Sequence, residues 1–172
     1  MSDVLFDIET VGPGAKGALS PLTGRITCIC FKVAGDGVGP VCFSGDSEAK
    51  IIADFVAAVD QANPTKLIAY VGWAFDVPFV RVRAMLHGIK LPAIFWNDRA
   101  IIDPWSILRR GKSGKQVEFA KLLGSDIIGT GFECLDWFAK GDFVKIKEHC
   151  ISDIEALDLI YSRMLKAGFV CH

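Results

Sequence analysis

Two acidic residues interrupt a short apolar stretch near the start of the chain. In the segment LFDIET, residues 5–10, Asp7 and Glu9 fall within what otherwise reads as a buried strand. Successive strand side chains point to opposite faces, so the two carboxylates share one face. Unpaired buried carboxylates are costly and raise each other's pKa unless a cation neutralises them. The alternative is a strand end that meets solvent, and further acids are needed to indicate a cation site.

Two later acids also stand in apolar surroundings. Asp76 lies in GWAFDVPF, residues 72–79, where its alternative role is a helix N-cap ahead of Pro78. Asp153 lies in the last predicted helix, four residues after His149, so the two side chains share a helical face. The alternative here is a solvated acidic stripe, but Asp153 has more apolar neighbours than the other acids of that helix.

The elements that would position these acids follow from hydrophobic periodicity and turn residues. An irregular, glycine-rich loop is predicted over residues 11–24, and Asp103 is predicted to be a cap or turn residue. Strands are predicted over residues 4–9, 25–33, 38–43, 66–71 and 100–102, and helices over 48–61, 77–87, 116–123, 132–139 and 142–166. The order predicts an α/β fold with a mixed five-stranded sheet, antiparallel at first and parallel afterwards, flanked by helices.

Composition limits the class of protein. The 172 residues suit a single domain spanning 1–172, and the net charge of −1 means that nucleic-acid binding would rely on a local basic patch or on metal ions. The six cysteines show no zinc-ligand spacing and are expected to be free, mostly buried thiols. Free thiols, together with an acidic N-terminus unlike a signal peptide, predict a cytoplasmic location, and no apolar run is long enough to span a membrane.

The three acidic motifs resemble, in order, the exonuclease motifs of the DEDD superfamily: LFDIET, then GWAFDVPF, then the His149-x-x-x-Asp153 pattern. These families are 3′-to-5′ exonucleases with a ribonuclease H-like fold. The match is closest to the branch related to the proofreading domain of family B DNA polymerases, including its stand-alone members. It covers nearly the whole chain.

The resemblance implies that Asp7, Glu9, Asp76 and Asp153 hold two divalent metal ions, Mg²⁺ or Mn²⁺, at the scissile phosphate. Oxygen ligands suit both ions, and a two-ion site can assist an in-line displacement. By family likeness Asp7 would bridge both ions, Glu9 and Asp153 would bind the first, and Asp76 would act mainly through the waters of the second.

Two positions depart from the family pattern. His149 combines the residue type of the histidine-bearing branch with the spacing of the tyrosine-bearing branch, so its role as general base is a hypothesis. Val71 stands where an asparagine is frequent, which affects the expected contacts with the substrate strand.

Candidate substrate contacts come from three parts of the chain. Thr10 follows the first acid pair, and Trp73 and Phe75 could stack on terminal bases, with core packing as the alternative, especially for Phe75. A basic, glycine-bearing loop is the third candidate; its members expected to meet phosphates are Arg109, Arg110 and Lys112.

The predicted function is metal-dependent 3′-to-5′ hydrolysis of phosphodiester bonds at single-stranded or frayed 3′ ends, releasing nucleoside monophosphates. The alternative is an accessory nucleic-acid-binding module with little activity on the same fold. DNA is favoured over RNA by family likeness alone. A role in proofreading would require a separate polymerase or repair protein as partner, and trimming, repair and RNA processing are equal alternatives. The hydrophobic composition permits a dimer.

Overall fold

A computed structural model describes residues 3–109 and 114–169. The strands are β1 (Asp3–Val11), β2 (Arg25–Val33), β3 (Val41–Ser44), β4 (Lys66–Ile68) and β5 (Ile101–Ile102). The helices are α1 (Gly14–Ala18), α2 (Glu48–Ala62), α3 (Asp76–Leu86), α4 (Pro104–Arg109), α5 (Gln116–Leu122), α6 (Glu133–Ala139) and α7 (Phe143–Lys166), with 3₁₀ turns at Ala93–Trp96 and Asp98–Ala100. Within this described part of the chain, no helix is both long and apolar enough to cross a bilayer.

The strands form a mixed five-stranded sheet in the order β3-β2-β1-β4-β5. β1 and β2 pair antiparallel, as do β2 and β3, whereas β1, β4 and β5 run parallel. The predicted α/β class and mixed sheet are therefore confirmed. The central strand is β1, which carries the first two acids.

Each face of the sheet packs against its own hydrophobic core. Val4, Phe6 and Ile8 face a core formed with α2 and α3. Leu5 points to the opposite core, which α6 and α7 cover. Asp7 and Glu9 continue the Leu5 face, as the alternation of the strand predicts. The site therefore lies between the sheet and the C-terminal helices.

Three local features differ from the expected elements. The loop over residues 11–24 contains the short helix α1, and residues 104–109 form the helix α4. β4 ends at Ile68, three residues earlier than expected, because the chain turns sharply there and Val71 adopts φ 56°. The Asp103 carboxylate holds this turn by accepting a hydrogen bond from the Val71 amide at 3.0 Å, and it also accepts from the Trp105 amide at 3.0 Å.

The prediction that the cysteines are free thiols is wrong for one pair. Cys30 and Cys42 face each other in the β2–β3 pairing and form a disulfide. Apolar surroundings suggested free thiols, but they do not reveal strand register, which is what brings these two sulfurs together. Cys28, Cys134 and Cys150 are free and buried, as expected, and Cys171 lies outside the described residues. The free-thiol argument for a reducing compartment loses this pair, and the cytoplasmic location stays a prediction.

A buried ion-pair network fixes α3 against α2 and β2. The Glu48 carboxylate accepts hydrogen bonds from the Ile26 amide at 2.6 Å, from Arg83 Nη2 at 2.5 Å and from His87 Nε2 at 2.7 Å. Burial alone would raise the pKa of Glu48, but these hydrogen bonds outweigh it and lower that pKa. Because α3 begins at Asp76, the network also helps to set the position of that acid.

Replacing Arg83 with alanine should destabilise the fold by about 3 kcal/mol, because the variant leaves the Glu48 carboxylate buried with one charged partner removed. Urea unfolding followed by circular dichroism measures this loss. The control is Lys50→Ala, which breaks the exposed Lys50–Asp54 pair and should cost less than about 0.5 kcal/mol. Equal costs for the two variants would contradict this account of the network.

Candidate active site

The central strand brings Asp7 and Glu9 to the floor of a cavity. Opposite them, β2 bulges: Glu9 pairs with Cys28 and Thr10 with Ile26, which leaves Thr27 between the two pairs. The Thr27 hydroxyl donates to the Glu9 carbonyl at 3.2 Å, so the irregular backbone is still hydrogen-bonded. Bulges of this kind re-aim side chains and are frequent beside active sites.

Asp76 reaches β1 from the opposite side of the strand. β4 ends opposite Leu5, so beyond this point the β1 backbone has no β4 partner. The Asp76 carboxylate fills that place by accepting a hydrogen bond from the Ile8 amide at 3.3 Å. Asp76 is the first residue of α3, and the N-cap residue is Phe75, whose side chain makes no cap hydrogen bond. The alternative role of Asp76 as the N-cap is therefore wrong.

The last helix supplies His149 and Asp153. His149 Nε2 lies 3.4 Å from Asp153 Oδ2 and 3.4 Å from Glu9 Oε1. On its other side, His149 Nδ1 lies 2.6 Å from the Ile128 carbonyl, which can only accept, so Nδ1 carries a proton. The edge of Trp137 packs on the imidazole, with ring centroids 6.1 Å apart. The ring is therefore held on three sides.

Two thiols also contact the acids. Cys134 Sγ donates to Glu9 Oε2 at 3.2 Å, and Cys150 Sγ lies 3.4 Å from Asp7 Oδ2. Burial, followed by the nearby acids Glu9 and Asp7, raises the pKa of Cys134, so this thiol is neutral in the ion-free protein. Both cysteines contribute weak hydrogen bonds and no charge that could balance the carboxylates.

The charges of the four acids are left largely unbalanced. Burial is the main cause that raises the pKa of Asp7 well above its usual range, and the neighbouring carboxylates, Asp153 first, raise it further. Burial likewise raises the pKa of Glu9 strongly, that of Asp76 to about 8 and that of Asp153 to about 6. Within residues 3–109 and 114–169, Glu9 and Asp153 pair with His149, and none of the four acids pairs with a lysine or arginine. This arrangement attracts cations.

The cavity has a volume of about 440 Å³, which is within the range of small-molecule sites. One part of its wall carries Asp7, Glu9, His149 and Asp153. Another part is apolar and includes Leu19, Phe75, Phe132 and Leu135. Lys115 and Gln116 also line it, and the side-chain amide of Gln116 donates to the Asp153 carbonyl at 2.5 Å. The cavity therefore has one wall of acidic side chains and one apolar wall.

Comparison with known proteins agrees with this geometry. Residues 26–125 match a family model described as "Predicted 3′-5′ exonuclease related to the exonuclease domain of PolB". The chain belongs to this family. The DEDD resemblance is thus confirmed, although the matched segment contains Asp76 and none of the other three acids.

A solved structure shares the fold over nearly the whole chain. It is the family B DNA polymerase from the hyperthermophilic archaeon Pyrobaculum calidifontis, with a TM-score of 0.77 and 16% sequence identity. The alignment covers 96% of this chain and 24% of the polymerase chain. The likeness confirms the ribonuclease H-like fold of this member of the PolB-related exonuclease family.

The predicted substrate contacts lie in different environments. The Thr10 hydroxyl donates to the Ala18 carbonyl at 2.8 Å and so ties β1 to α1, while the residue also lines the cavity. Phe75 and Trp73 both pack against the α2–α3 core. Phe75 also lines the cavity and packs on Phe79, whereas Trp73 is not among the described lining residues. Arg110, Lys112 and the side chain of Arg109 lie outside the described residues. Substrate binding by these residues stays a prediction.

Sequence reasoning missed several residues of the site. Cys134 belongs to α6 and Gln116 to α5, both helices of 7 residues whose periodicity is too short to reveal which face is buried. Ser152 was also missed: its hydroxyl donates to the His149 carbonyl at 2.7 Å and accepts from the Ile128 amide at 3.0 Å. A small polar residue within a long amphipathic helix gave no signal of this role.

The ion-free protein should lose stability as the pH rises from about 4 to about 8. The four acids titrate near pH 4 in the unfolded chain but have raised pKa values in the folded protein, so folding takes up protons within this window. Their contribution is complete below pH 4 and disappears as the pH passes the folded pKa values. Thermal unfolding in the presence of a chelator measures this effect, and Asp76→Asn should flatten the dependence. A wild-type melting temperature that falls no more steeply across the window than that of Asp76→Asn would contradict the raised pKa values.

Proposed function

We propose that this member of the family is an active, metal-dependent 3′-to-5′ exonuclease. The observation that carries the proposal is the convergence of four acids from three elements: Asp7, Glu9 and Asp153 line one cavity, and the Asp76 carboxylate meets β1 at the Ile8 amide. Burial raises the pKa of each of the four, and repulsion by neighbouring carboxylates adds to the rise for Asp7, Glu9 and Asp76. Their carboxylate oxygens suit hard divalent cations, so the residues present fit two Mg²⁺ or Mn²⁺ ions.

Asp7, Glu9, Asp76 and Asp153 would hold the two ions. When bound, such ions lower the pKa of the attacking water and neutralise charge on the leaving oxygen in phosphodiester hydrolysis. Only the ionised carboxylates would hold cations, so the protons that burial and neighbouring charges retain on these acids would leave when metal binds. The Ile8 amide donates a hydrogen bond to the Asp76 carboxylate. The side-chain amide of Gln116 donates to the backbone carbonyl of Asp153 and so fixes α7 at that residue.

His149 would handle the proton of the attacking water. Its Nδ1 donates a hydrogen bond to the Ile128 carbonyl, so Nε2 is the ring nitrogen that lies near Glu9 and Asp153. The pocket therefore presents a single, oriented nitrogen. Ser152 supports this orientation indirectly, because it holds the amide of the same Ile128 whose carbonyl receives the imidazole proton.

The apolar wall would receive the terminal nucleobase. Phe75 and Phe132 both line the cavity, and stacking contributes about 1–3 kcal/mol per base in single-strand binders. The proposed substrate is thus a single-stranded or frayed 3′ end whose last base packs on these rings while its phosphate lies near the acids. The product is a nucleoside monophosphate.

Asp7→Asn should lower cleavage at least about 100-fold, because it removes one of the charges that would hold the ions. A 5′-labelled single-stranded oligonucleotide, incubated with Mg²⁺ or Mn²⁺, should shorten stepwise from its 3′ end in the wild type. The matched control is Asp54→Asn, an exposed acid on α2 that should leave the rate unchanged. Binding of the oligonucleotide without cleavage by the wild type would contradict the proposal and favour an accessory module. Equal cleavage of a circular substrate would indicate an endonuclease.

His149→Ala should lower kcat by about 100-fold to 10,000-fold with metal affinity measured separately, the usual range for loss of a general acid or base. Ser152→Ala keeps the imidazole but loosens the Ile128 support, so its loss should be smaller, about 10-fold. Single-turnover cleavage at saturating metal gives both values. A rate near wild type in His149→Ala would remove the histidine from the reaction.

A further inference from the structure

The buried thiol of Cys134 contacts the site but has no part in the proposed reaction. It lies on α6 with 0% exposure, and its sulfur is 3.2 Å from Glu9 Oε2. Magnesium and manganese prefer oxygen ligands, so a thiol at this place adds nothing to their binding. Thiolate sulfur is instead a strong ligand for zinc and other softer cations.

Cys134, Glu9 and His149 together offer three different donor atoms in a compact group. Glu9 Oε1 lies 3.4 Å from His149 Nε2, and one sulfur, one nitrogen and one carboxylate oxygen all lie within 4.8 Å of one another. Tetrahedral zinc, with bonds of about 2.0 to 2.3 Å, places neighbouring donors about 3.3 to 3.6 Å apart. The separations measured from Glu9 are close to those values, although each involves a different oxygen: Oε1 lies 3.4 Å from the imidazole Nε2 and Oε2 lies 3.2 Å from the sulfur.

The hydrogen bond on the far side of the imidazole is a second, independent indication. Histidines that bind metals through one nitrogen almost always donate the other N–H to a carbonyl or carboxylate, which fixes the tautomer. His149 does this through Nδ1 to the Ile128 carbonyl at 2.6 Å, and the ring is only 5% exposed. Nε2, the atom needed for a metal bond, is the one that points at Glu9 and the cavity.

We propose that Cys134, His149 and Glu9 form a binding site for Zn²⁺ that overlaps the acidic site. Zinc would displace the proton of the Cys134 thiol, so each ion bound through sulfur releases that proton to solvent. Water or the Asp153 carboxylate would take the fourth position. Because Glu9 belongs to both sets of ligands, binding of zinc at this site and of magnesium at the acidic site is coupled through this carboxylate.

A second buried thiol provides the matched control. Cys150 belongs to the same core as Cys134 and also contacts one of the acids, but its partner is Asp7 at 3.4 Å, and the histidine is not part of the group of potential ligands around it. Replacing either cysteine with serine removes one buried sulfur beside one buried carboxylate. The two variants therefore separate a specific site at Cys134 from a general affinity of buried thiols for metals.

Metal binding by the full chain tests the proposal. Co²⁺, used as a spectroscopic substitute for zinc, should give one equivalent of a tetrahedral species with a thiolate-to-cobalt charge-transfer band, which Zn²⁺ then abolishes. In Cys134→Ser the band should disappear, and the Kd for zinc, measured against a chromophoric chelator, should rise at least about 100-fold. Glu9→Gln should also weaken zinc binding. Cys150→Ser should keep the band and change the Kd less than about 3-fold. A band that survives in Cys134→Ser overturns the proposal.

X-ray absorption of the zinc-loaded wild type keeps the test decisive if Cys134→Ser does not fold. One sulfur at about 2.3 Å and one imidazole in the zinc shell support the site, whereas a shell of oxygen and nitrogen alone overturns it. All these readouts measure binding, so they are independent of cleavage. A chain that binds zinc in this way but cuts no oligonucleotide would refute the proposed function and leave this inference standing.

Discussion

Burial of four carboxyl groups close to one another is the constraint around which the structure is organised. Burial and the neighbouring charges both favour the protonated forms, and the described part of the chain places a single histidine against them as a potential positive charge. A site in this state is costly for the fold unless protons or cations are bound. The surrounding elements hold the acids in place despite that cost: β1 is central in the sheet, and both of its faces are packed.

Much of this arrangement could be predicted from the sequence because the acids stand on strongly patterned elements. Alternation along β1 places Asp7 and Glu9 on one face, and the helical period of α7 places His149 beside Asp153. Asp76 follows β4, which runs parallel to β1, so it comes to the same edge of the sheet. In each case a local pattern and a simple rule of topology were sufficient.

The rest could not be predicted, because it depends on contacts between residues distant in sequence. The Cys30–Cys42 disulfide follows from strand register, and the contact between Cys134 and Glu9 joins residues 125 positions apart. Val71 is a further example: a β-branched residue rarely adopts positive φ, yet Asp103 holds its amide in that conformation. The orientation of His149 likewise depends on a loop carbonyl at Ile128 and on Trp137, not on helical spacing alone.

The two edges of the sheet have a consequence for self-association. β5 has only two residues, and β3 has four and is joined to its neighbour by the Cys30–Cys42 disulfide. Short edge strands are poor templates for another chain, and a strand covalently attached to its own sheet cannot be exchanged with a second copy while the disulfide is intact. Both lateral routes to strand addition and domain swapping are therefore obstructed. Reduction of the disulfide would leave the β3 edge as the place where such exchange could begin.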